Sequence, residues 1–395
     1  MPSAQTIALV KATVPVLQEQ AEAITSHFYK LMLANHPEVK AFFNEAHQAN
    51  GTQARALAGA VLAYAAHIDR LHEIAAALPR IIQKHAALGV QPEHYPIVGN
   101  CLLQAIKDIL GEAATDDILA AWGEAYGELA DLLIAAEEQV YRANEERQGG
   151  WRGERSFRIA RREAESELIT SFYLEPVDGG ALMAFTPGQY LTLVLRIDGE
   201  PLRRNYSLSD APGKPWYRLS VKREAGGRVS NWLHEHAPVG TTLNAQAPCG
   251  DFVLAEAAGD RPLVLVTGGV GITPAMSMLE TAAPTGRSIH FIHAARDGGV
   301  HAFRARVDAI AAEHANVKPV YVYDQPRAVE PPHVIGFVTK ELLARELPVD
   351  RDVDLYFLGP KPFMKAVYAN GLALGVPEQQ LRYEFFGPLE DLRAA

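Results

Sequence analysis

The amino-acid sequence predicts a multidomain protein with an all-α domain, then an antiparallel β-barrel, then an α/β domain with a parallel sheet. Its 395 residues suffice for roughly two or three domains of ordinary size. The residue pattern changes character near residue 150 and again after Pro262. We therefore predict domains over 1–141, 152–257 and 260–395.

The first region, up to about Tyr141, is rich in Ala, Leu, Ile and Glu and contains few glycines. Its apolar residues recur at helical spacing, which is typical of packed amphipathic helices. Pro79 suits the first turn of a helix, and Gly89 suits the position just after its last turn. The polar stretch 144–150 predicts a linker or a helix end.

The two later regions differ in how their apolar residues are grouped. From Trp151 to about Ala257, short alternating runs separated by Gly and Pro predict antiparallel strands. These runs include 157–159, 190–195 and 217–221. After Pro262, continuous apolar runs alternate with helical stretches, which predicts a parallel sheet covered on both faces. These runs include 263–266, 288–293, 320–323 and 355–358.

Composition and charge exclude several classes of function. The formal net charge of -10 argues against binding a nucleic acid or an anionic membrane surface. The N-terminus lacks a basic start followed by an apolar run, and the aliphatic run 263–266 is too short to span a bilayer. Cys101 and Cys249 form no CxxC pair, which is typical of a reducing compartment. We expect a cytoplasmic protein without an integral membrane segment or an obligatory protein partner.

One histidine of the helical region lies on an apolar helix face. Ile81, Ile82, His85 and Leu88 share that face by three- and four-residue spacing, so His85 is predicted to point into the core. Taken alone, the pattern fits a hydrogen-bonded core histidine better than a metal ligand.

Two polar residues are predicted near the same core. Gln53 shares a helical stripe with Leu57, and Tyr29 lies beside the buried face of another predicted helix. An amide and a phenol in one apolar pocket can donate hydrogen bonds to an iron-bound diatomic ligand. Each residue alone fits an ordinary role better, Gln53 as an exposed glutamine at a helix start and Tyr29 as a half-buried tyrosine.

Residues 1 to about 141 resemble a globin, specifically the globin part of the flavohaemoglobins. The matching segments, in order, are 27–29, 37–44, Gln53 with Leu57, 84–85, 92–99, 121–127 and Glu137. The resemblance implies that His85 is the proximal ligand of the haem iron. It also implies that Tyr29, Gln53 and Leu57 line the distal side, that Phe43 and Lys84 belong to the haem pocket, and that Tyr95 and Glu137 stand behind the ligand.

The implied arrangement behind His85 has a chemical consequence. A metal-bound histidine that donates its other N–H to a carboxylate pushes electron density onto the metal. Such a ligand favours activation of bound oxygen over simple storage. Glu137 is the candidate acceptor and Tyr95 the candidate orienting group. Because Glu137 and Glu138 are neighbours on one helix, only one of the two can face inward.

The barrel region carries a candidate flavin motif at 204–207. In Arg204-Asn205-Tyr206-Ser207, the arginine suits a pyrophosphate, the tyrosine suits packing on a flavin ring and the serine suits a ring nitrogen. A glycine turn at 226–227 precedes Val229 and Ser230 and opens a short helix whose N–H groups suit a phosphate. An ordinary helix capped by Ser230 also fits that segment.

The α/β region carries a candidate dinucleotide turn between a buried strand and a helix. Its residues are Gly268, Gly269, Val270, Gly271, Ile272, Thr273 and Pro274. The glycines allow a pyrophosphate to approach the backbone at a helix N-terminus. No acidic residue stands at the usual distance for a ribose hydroxyl. Arg296 fits a 2′-phosphate or an exposed loop arginine, so the choice between NADH and NADPH stays open.

Residues from about 152 to 395 resemble the ferredoxin–NADP reductase-like family. The matching segments, in order, are 187–190, 204–207, 227–230, 268–274, 359–364 and 383–388. The resemblance implies that FAD is held by Tyr190, Arg204, Asn205, Tyr206, Ser207, Val229, Ser230, Glu384, Phe385, Phe386, Gly387 and Pro388. Glu384 would lie near the hydride path beside Ser207. One departure is Leu358, which stands where the family commonly has a cysteine.

A globin followed by this reductase resembles the flavohaemoglobins over nearly the whole chain. The resemblance implies one haem b, one FAD and NADH or NADPH as a substrate. It implies that NO and O2 are converted to nitrate while electrons pass from NAD(P)H through FAD to the haem iron. Two alternatives are a haem-based O2 or NO sensor whose reductase keeps the iron ferrous, and a general flavin-dependent diaphorase.

Overall fold

The computed structural model describes residues 2–43, 51–75, 78–256, 260–328, 332–387 and 392. Its N-terminal part is helical, as the sequence predicts. The α-helices there are α1 (Ala4–Ala12), α2 (Val14–Asn35), α3 (Thr52–His67), α4 (Leu78–Leu88), α5 (His94–Leu110) and α6 (Asp116–Glu146), and a 3-10 helix covers Pro37–Phe42. Their apolar faces enclose one core, which contains Phe28, Met32, Ala65, Ala105 and Trp122.

The ends of α4 and α6 follow from their local sequences. Pro79 lies in the first turn of α4, and Gly89 adopts φ +76° just beyond its last turn, the left-handed conformation that glycine accepts readily. The side chain of Thr115 caps the start of α6. This helix continues past the predicted boundary at 141, where Arg142 and Arg152 both pair with Glu138.

The second part is an antiparallel sheet of six strands in the described residues, with strand order β4-β3-β6-β1-β2-β5. The strands are β1 (Arg155–Ala164), β2 (Ile169–Pro176), β3 (Tyr190–Ile197), β4 (Glu200–Ser207), β5 (Tyr217–Lys222) and β6 (Thr242–Ala245), and the helix α7 spans Arg228–His236. A bridge between Leu208 and Leu219 joins the two edges. The sheet therefore closes into the predicted barrel around Phe157 and Phe172.

The third part is a parallel sheet with strand order β10-β9-β8-β7-β11-β12 in the described residues. The strands are β7 (Leu263–Gly268), β8 (Ile289–Ala295), β9 (Val317–Tyr323), β10 (Val334–Ile335), β11 (Asp354–Leu358) and β12 (Leu381–Tyr383). The helices are α8 (Ile272–Ala282), α9 (Arg304–Glu313), α10 (Lys340–Glu346) and α11 (Lys361–Ala373). Leu265 faces α8 and α9, whereas Val266 faces α10 and α11. Burial on both faces explains the continuous apolar runs.

Helix α4 lies at the junction between the helical part and the barrel. Its Ala86 and Ala87 are buried against Tyr190 and Cys249 of the barrel and against Tyr141 of α6. Near the other end of α4, Arg80 pairs with Asp251 at 3.4 Å. The small alanine side chains allow the helix to approach both neighbours closely. Among the helices of the described ranges, none combines the length and apolarity needed to cross a bilayer.

We predict that Gly99→Ala destabilises the helical part by about 1–3 kcal/mol. A Cβ at Gly99 would lie 2.5 Å from Cε1 of Tyr126, so α5 and α6 must separate or Tyr126 must move. The matched control is Gly127→Ala, because a Cβ there meets no described atom within 4 Å and alanine favours a helix by about 0.5–1 kcal/mol. Urea unfolding followed by circular dichroism measures both changes; equal effects would contradict the prediction.

Candidate functional site

The first feature of the site is a hydrogen-bonded triad behind His85. Nδ1 of His85 on α4 is 2.7 Å from Oε1 of Glu137 on α6 and 3.2 Å from the Tyr95 hydroxyl on α5. The Tyr95 hydroxyl donates to the same Glu137 oxygen at 2.5 Å. Burial and the Glu137 carboxylate raise the pKa of Tyr95, so this phenol remains a donor. Glu137 is the inward-facing acid, with 2% of its surface exposed, and Glu138 is the outward one.

The triad leaves one nitrogen of His85 for a metal. Because Nδ1 faces Glu137 and Tyr95, Nε2 is the nitrogen that remains for an iron ligand bond. The His85 side chain is 34% exposed, whereas the Glu137 side chain is 3% exposed. A histidine anchored on one nitrogen and accessible on the rest of its ring fits the proximal position of a haem.

Tyr29 and Gln53 come together on the helical core. The pKa of Tyr29 is raised by burial, and a hydrogen bond with the Gln53 side chain partly offsets this effect. The Tyr29 ring also packs edge-on against Phe43, with the ring centroids 5.6 Å apart. Leu57 packs against the same core. The structure thus joins an amide and a phenol that stays protonated, which are the two donor types expected beside a bound diatomic ligand.

A cavity connects the helical part with the barrel and the C-terminal segment. Its lining residues are Phe42, Gln53, Lys84, Leu88, Tyr190, Arg203, Arg204, Asn205, Ser207, Glu384, Phe385, Phe386 and Gly387. Several of the predicted haem-side and flavin-side residues therefore share one space. Pro388, which was also predicted to hold FAD, lies outside the described residues.

Lys84 lies at the domain junction. Its Nζ donates to the backbone oxygen of Gly387 at 2.9 Å, a contact between residues distant in sequence. The neighbouring Glu384 is 6% exposed, and burial raises its pKa to about 7 although Lys84 lowers it. Lys84 thus bridges the helix that carries His85 and the C-terminal segment predicted to hold FAD.

The cavity fits a cofactor because it holds polar atoms that the described residues leave without partners. The hydroxyl of Tyr190 and Nε of Arg203 are buried and accept or donate no hydrogen bond within the described residues. Such orphaned groups are costly unless a ligand supplies partners. Ser207 and Arg204 line the same space, so a cofactor with ring nitrogens and phosphates has complementary groups there.

The other predicted flavin residues have mixed surroundings. Tyr206 packs against the barrel core, and Asn205 accepts a hydrogen bond from Thr192. Val229 is buried at the start of α7. The Ser230 hydroxyl accepts a hydrogen bond from the N–H of Glu224 and donates one to the backbone oxygen of Gly227. The serine therefore stabilises the glycine turn at 226–227.

The predicted dinucleotide turn links β7 to α8. Gly269 has φ +54°, and a Cβ at Gly271 would lie 2.4 Å from the backbone oxygen of Leu358 on β11. Glycine is therefore required by the close approach of two chain segments. Thr273 donates to the oxygen of Val270 at 3.0 Å and closes the first turn of the helix. Leu358, which stands where the family commonly has a cysteine, is buried there with 1% of its surface exposed.

Arg296 follows β8 and is held by a neighbour. Its Nε donates to Asp297 at 2.8 Å, and the Arg296 side chain is 53% exposed. The same Asp297 carboxylate pairs with Arg327 at 3.0 Å, and Arg327 pairs with Glu167 of the barrel at 2.6 Å. Two arginines and two carboxylates thus neutralise one another around Arg296, the residue whose role as a 2′-phosphate ligand or an exposed loop arginine the sequence left open.

Sequence reasoning missed some residues of the cavity wall. Phe42, Leu88 and Arg203 line it but were assigned no role there. The adjacent basic pair Arg203-Arg204 was the available signal for Arg203. Arg80 and Asp251 pair across the junction, and no sequence pattern links residues so far apart.

Comparison with known families agrees with this architecture. The sequence matches the family described as Globin over residues 26–133. It matches the oxidoreductase FAD-binding domain over 156–254 and the oxidoreductase NAD-binding domain over 265–369.

Whole-length relatives decide the family. The flavohemoprotein of Pseudomonas aeruginosa is 57% identical over 388 residues, with 98% of each chain covered. The chain belongs to the flavohemoprotein family. The flavohemoprotein of Pseudomonas putida is 55% identical, with 98% of this chain and 99% of the relative covered.

Solved structures support the same assignment. This flavohemoprotein superposes on the flavohemoglobin from Malassezia yamatoensis, a structure with bound FAD and heme, with a TM-score of 0.86, 28% identity and 98% of this chain covered (99% of that chain). The FAD/NAD binding domain of nitric oxide dioxygenase from Vibrio cholerae matches with a TM-score of 0.55 and 35% identity, covering 59% of this chain and 99% of that one. The cofactors of this flavohemoprotein are accordingly haem, FAD and a nicotinamide dinucleotide.

We predict that Glu137→Gln weakens electron donation from His85 to the haem iron. An amide accepts a weaker hydrogen bond from Nδ1 of His85 than a carboxylate does. The stretching frequency of the iron–histidine bond in resonance Raman spectra should fall, and turnover should fall about 10- to 100-fold. Glu138→Gln is the matched control, because Glu138 pairs with Arg142 and Arg152 outside the triad. An unchanged frequency in the Glu137 variant would refute the assignment.

Proposed function

We propose that this flavohemoprotein is an NAD(P)H-dependent nitric oxide dioxygenase, which converts NO and O2 to nitrate. The observation that carries the proposal is the hydrogen-bonded triad of His85, Tyr95 and Glu137. A protein that only stores or senses oxygen has less need of a carboxylate behind its proximal histidine. The Vibrio cholerae protein named nitric oxide dioxygenase shares the reductase architecture and supports the proposal.

The haem would be held by His85, and when bound it supplies the redox-active iron at which O2 and NO meet. Glu137 accepts the hydrogen bond from Nδ1 of His85 and so strengthens electron donation from the ring to a bound metal. Tyr95 donates to the same carboxylate at 2.5 Å and prevents it from rotating away. The pair thereby keeps His85 in one orientation and one tautomer.

Tyr29 would donate a hydrogen bond to the substrate oxygen. Burial raises the pKa of Tyr29, so its hydroxyl proton is retained at physiological pH. Gln53 bonds to Tyr29 and positions its hydroxyl. Phe43 and Leu57 pack against the same core, so these two polar groups act in apolar surroundings, where hydrogen bonds are stronger.

The reductase residues would bind FAD and the nicotinamide dinucleotide and so connect NAD(P)H to the helical part. The chain itself brings the two cofactor sites together, because Lys84 immediately precedes His85 and bonds to Gly387 beside Glu384. Ser207 and Glu384 line one cavity, where they orient the flavin ring for hydride transfer. The 268–274 turn presents its glycine backbone to the pyrophosphate.

The substrates in this proposal are O2, NO and NAD(P)H, and none of them requires a partner protein because the reductase is part of the same chain. We place the reaction in the cytoplasm, which supplies NAD(P)H. Cys101 and Cys249 are free and buried, as is common for proteins of a reducing compartment.

The decisive experiment mixes the haem- and FAD-loaded protein with NO, O2 and NADH or NADPH and measures nitrate. Stoichiometric nitrate formation that depends on the nicotinamide is expected, and His85→Ala should abolish it together with haem binding. Tight ligand binding with negligible turnover would instead identify a sensor. Flavin reduction without nitrate formation in the haem-replete protein would also overturn the proposal.

We predict that Tyr29→Phe speeds dissociation of O2 from the ferrous protein about ten-fold or more, because one hydrogen bond to a partly charged ligand is lost. Stopped-flow spectroscopy measures this rate. Tyr64→Phe is the control, since the Tyr64 hydroxyl already donates to the oxygen of Ala125. If the two variants release O2 at the wild-type rate, Tyr29 is not the donor.

We predict that flavin reduction by NADH changes with pH around the pKa of Glu384, which burial raises to about 7. Below this value the carboxyl is neutral, and above it the carboxylate faces Lys84, Arg80 and Asp251. Glu384→Gln is neutral throughout and should keep, at every pH, the rate that the wild type shows well below pH 7. Anaerobic stopped-flow absorbance provides the rates, with Glu175→Gln on the barrel surface as the control. A pH dependence that survives in the Glu384 variant would contradict the prediction.

A further inference from the structure

Arg203 is a cation of the barrel that reaches the helical part. It lies on β4, and its guanidinium carbon is 4.5 Å from the centre of the Phe42 ring in the 3-10 helix. Its side chain is only 16% exposed. Arg203 and Phe42 both line the cavity between the domains, together with Gln53 and Lys84. The guanidinium therefore occupies the boundary between the haem side and the flavin side.

The charge of Arg203 is incompletely matched by the protein. Its Nε is buried and makes no hydrogen bond within the described residues. Glu154 provides a carboxylate 3.7 Å from its Nη2, beyond hydrogen-bonding distance. Burial lowers the pKa of Arg203, which is the direction expected for a cation short of counter-charge. Arginine still stays protonated, so an anion that enters the cavity would be stabilised there.

The cavity as a whole favours an anion. Its lining includes the cations Lys84, Arg203 and Arg204 but a single described carboxylate, Glu384. Burial raises the pKa of this carboxyl group to about 7, although the nearby charge of Lys84 lowers it. The balance of charge on the lining is therefore positive. Planar guanidinium groups bind carboxylates through two parallel hydrogen bonds, for which Arg203 still has its Nε available.

Two cofactors bring anions to this region, and position separates them. The flavin pyrophosphate suits Arg204 and the start of α7. The haem carries two propionate carboxylates at one edge of its ring, and the helical part contributes Phe42, Gln53, Lys84 and Leu88 to the cavity wall that Arg203 also lines. Gln53 contacts Tyr29, which ties this part of the wall to the haem pocket.

We propose that Arg203 binds a haem propionate from across the domain junction, so that the reductase domain itself helps to retain the haem. Arg203 is thus a binding residue for a carboxylate of the haem. The inference rests on haem binding by His85 and is independent of whether NO is the substrate.

The test uses the full chain loaded with haem and FAD, in the forms Arg203→Gln and Arg203→Lys. Transfer of haem to an excess of apomyoglobin is followed at the Soret band. The Gln form should lose haem about ten-fold faster or more, because one charge-assisted contact is removed. The Lys form should lie between it and the wild type. Arg196→Gln is the control, since Arg196 on β3 is exposed and donates to Gly199.

A second measurement removes the carboxylates instead of the arginine. When the proteins are reconstituted with haem dimethyl ester, wild-type and Arg203→Gln forms should release the ester at equal rates. A difference that persists with the ester would show that Arg203 acts by packing on Phe42 and would overturn the proposal. Loss of FAD in place of haem from the Arg203→Gln form would overturn it as well, because the partner would then be the flavin phosphate.

Discussion

The rest of the structure depends on the packing of helix α4 between the helical part and the barrel. One residue of this helix, His85, faces Glu137 and Tyr95, and the next two, Ala86 and Ala87, are buried against the barrel. A bulkier side chain at either alanine would push the helix away from one neighbour. The orientation of the histidine and the closeness of the two domains are therefore set by the same few contacts.

Burial explains why the polar groups of the site occur in pairs. A buried carboxylate or phenol costs free energy unless it is hydrogen-bonded, and Glu137 with Tyr95 satisfies this requirement behind the histidine. Gln53 meets the same requirement for Tyr29 in the helical core. The same burial holds both phenols in the protonated state, because it raises the pKa of each tyrosine. Burial is therefore the common cause of the hydrogen-bonded pairing of these groups and of the retained phenol protons that they can donate.

The domain junction is polar although it is largely enclosed. Lys84 reaches Gly387, and Tyr190 and Arg203 retain buried atoms without a hydrogen-bond partner among the described residues. A protein interior normally pairs such groups. Their convergence in one cavity is the physical sign that cofactors complete this interior. Docking of the domains and binding of the cofactors therefore depend on the same side chains.

The sequence alone determined the three-part fold, because helical and strand periodicities record which side of each element is buried. It also placed His85 on an apolar face and supplied ordered motifs whose resemblance pointed to haem, FAD and a nicotinamide. Periodicity could not choose between Glu137 and Glu138, and only the resemblance favoured Glu137, since both lie on one helix and packing alone buries one of them. Nor could it join Lys84 to Gly387 or Arg203 to Phe42. Only the tertiary structure decides such contacts, because they depend on how whole domains dock and leave no periodic trace in the chain.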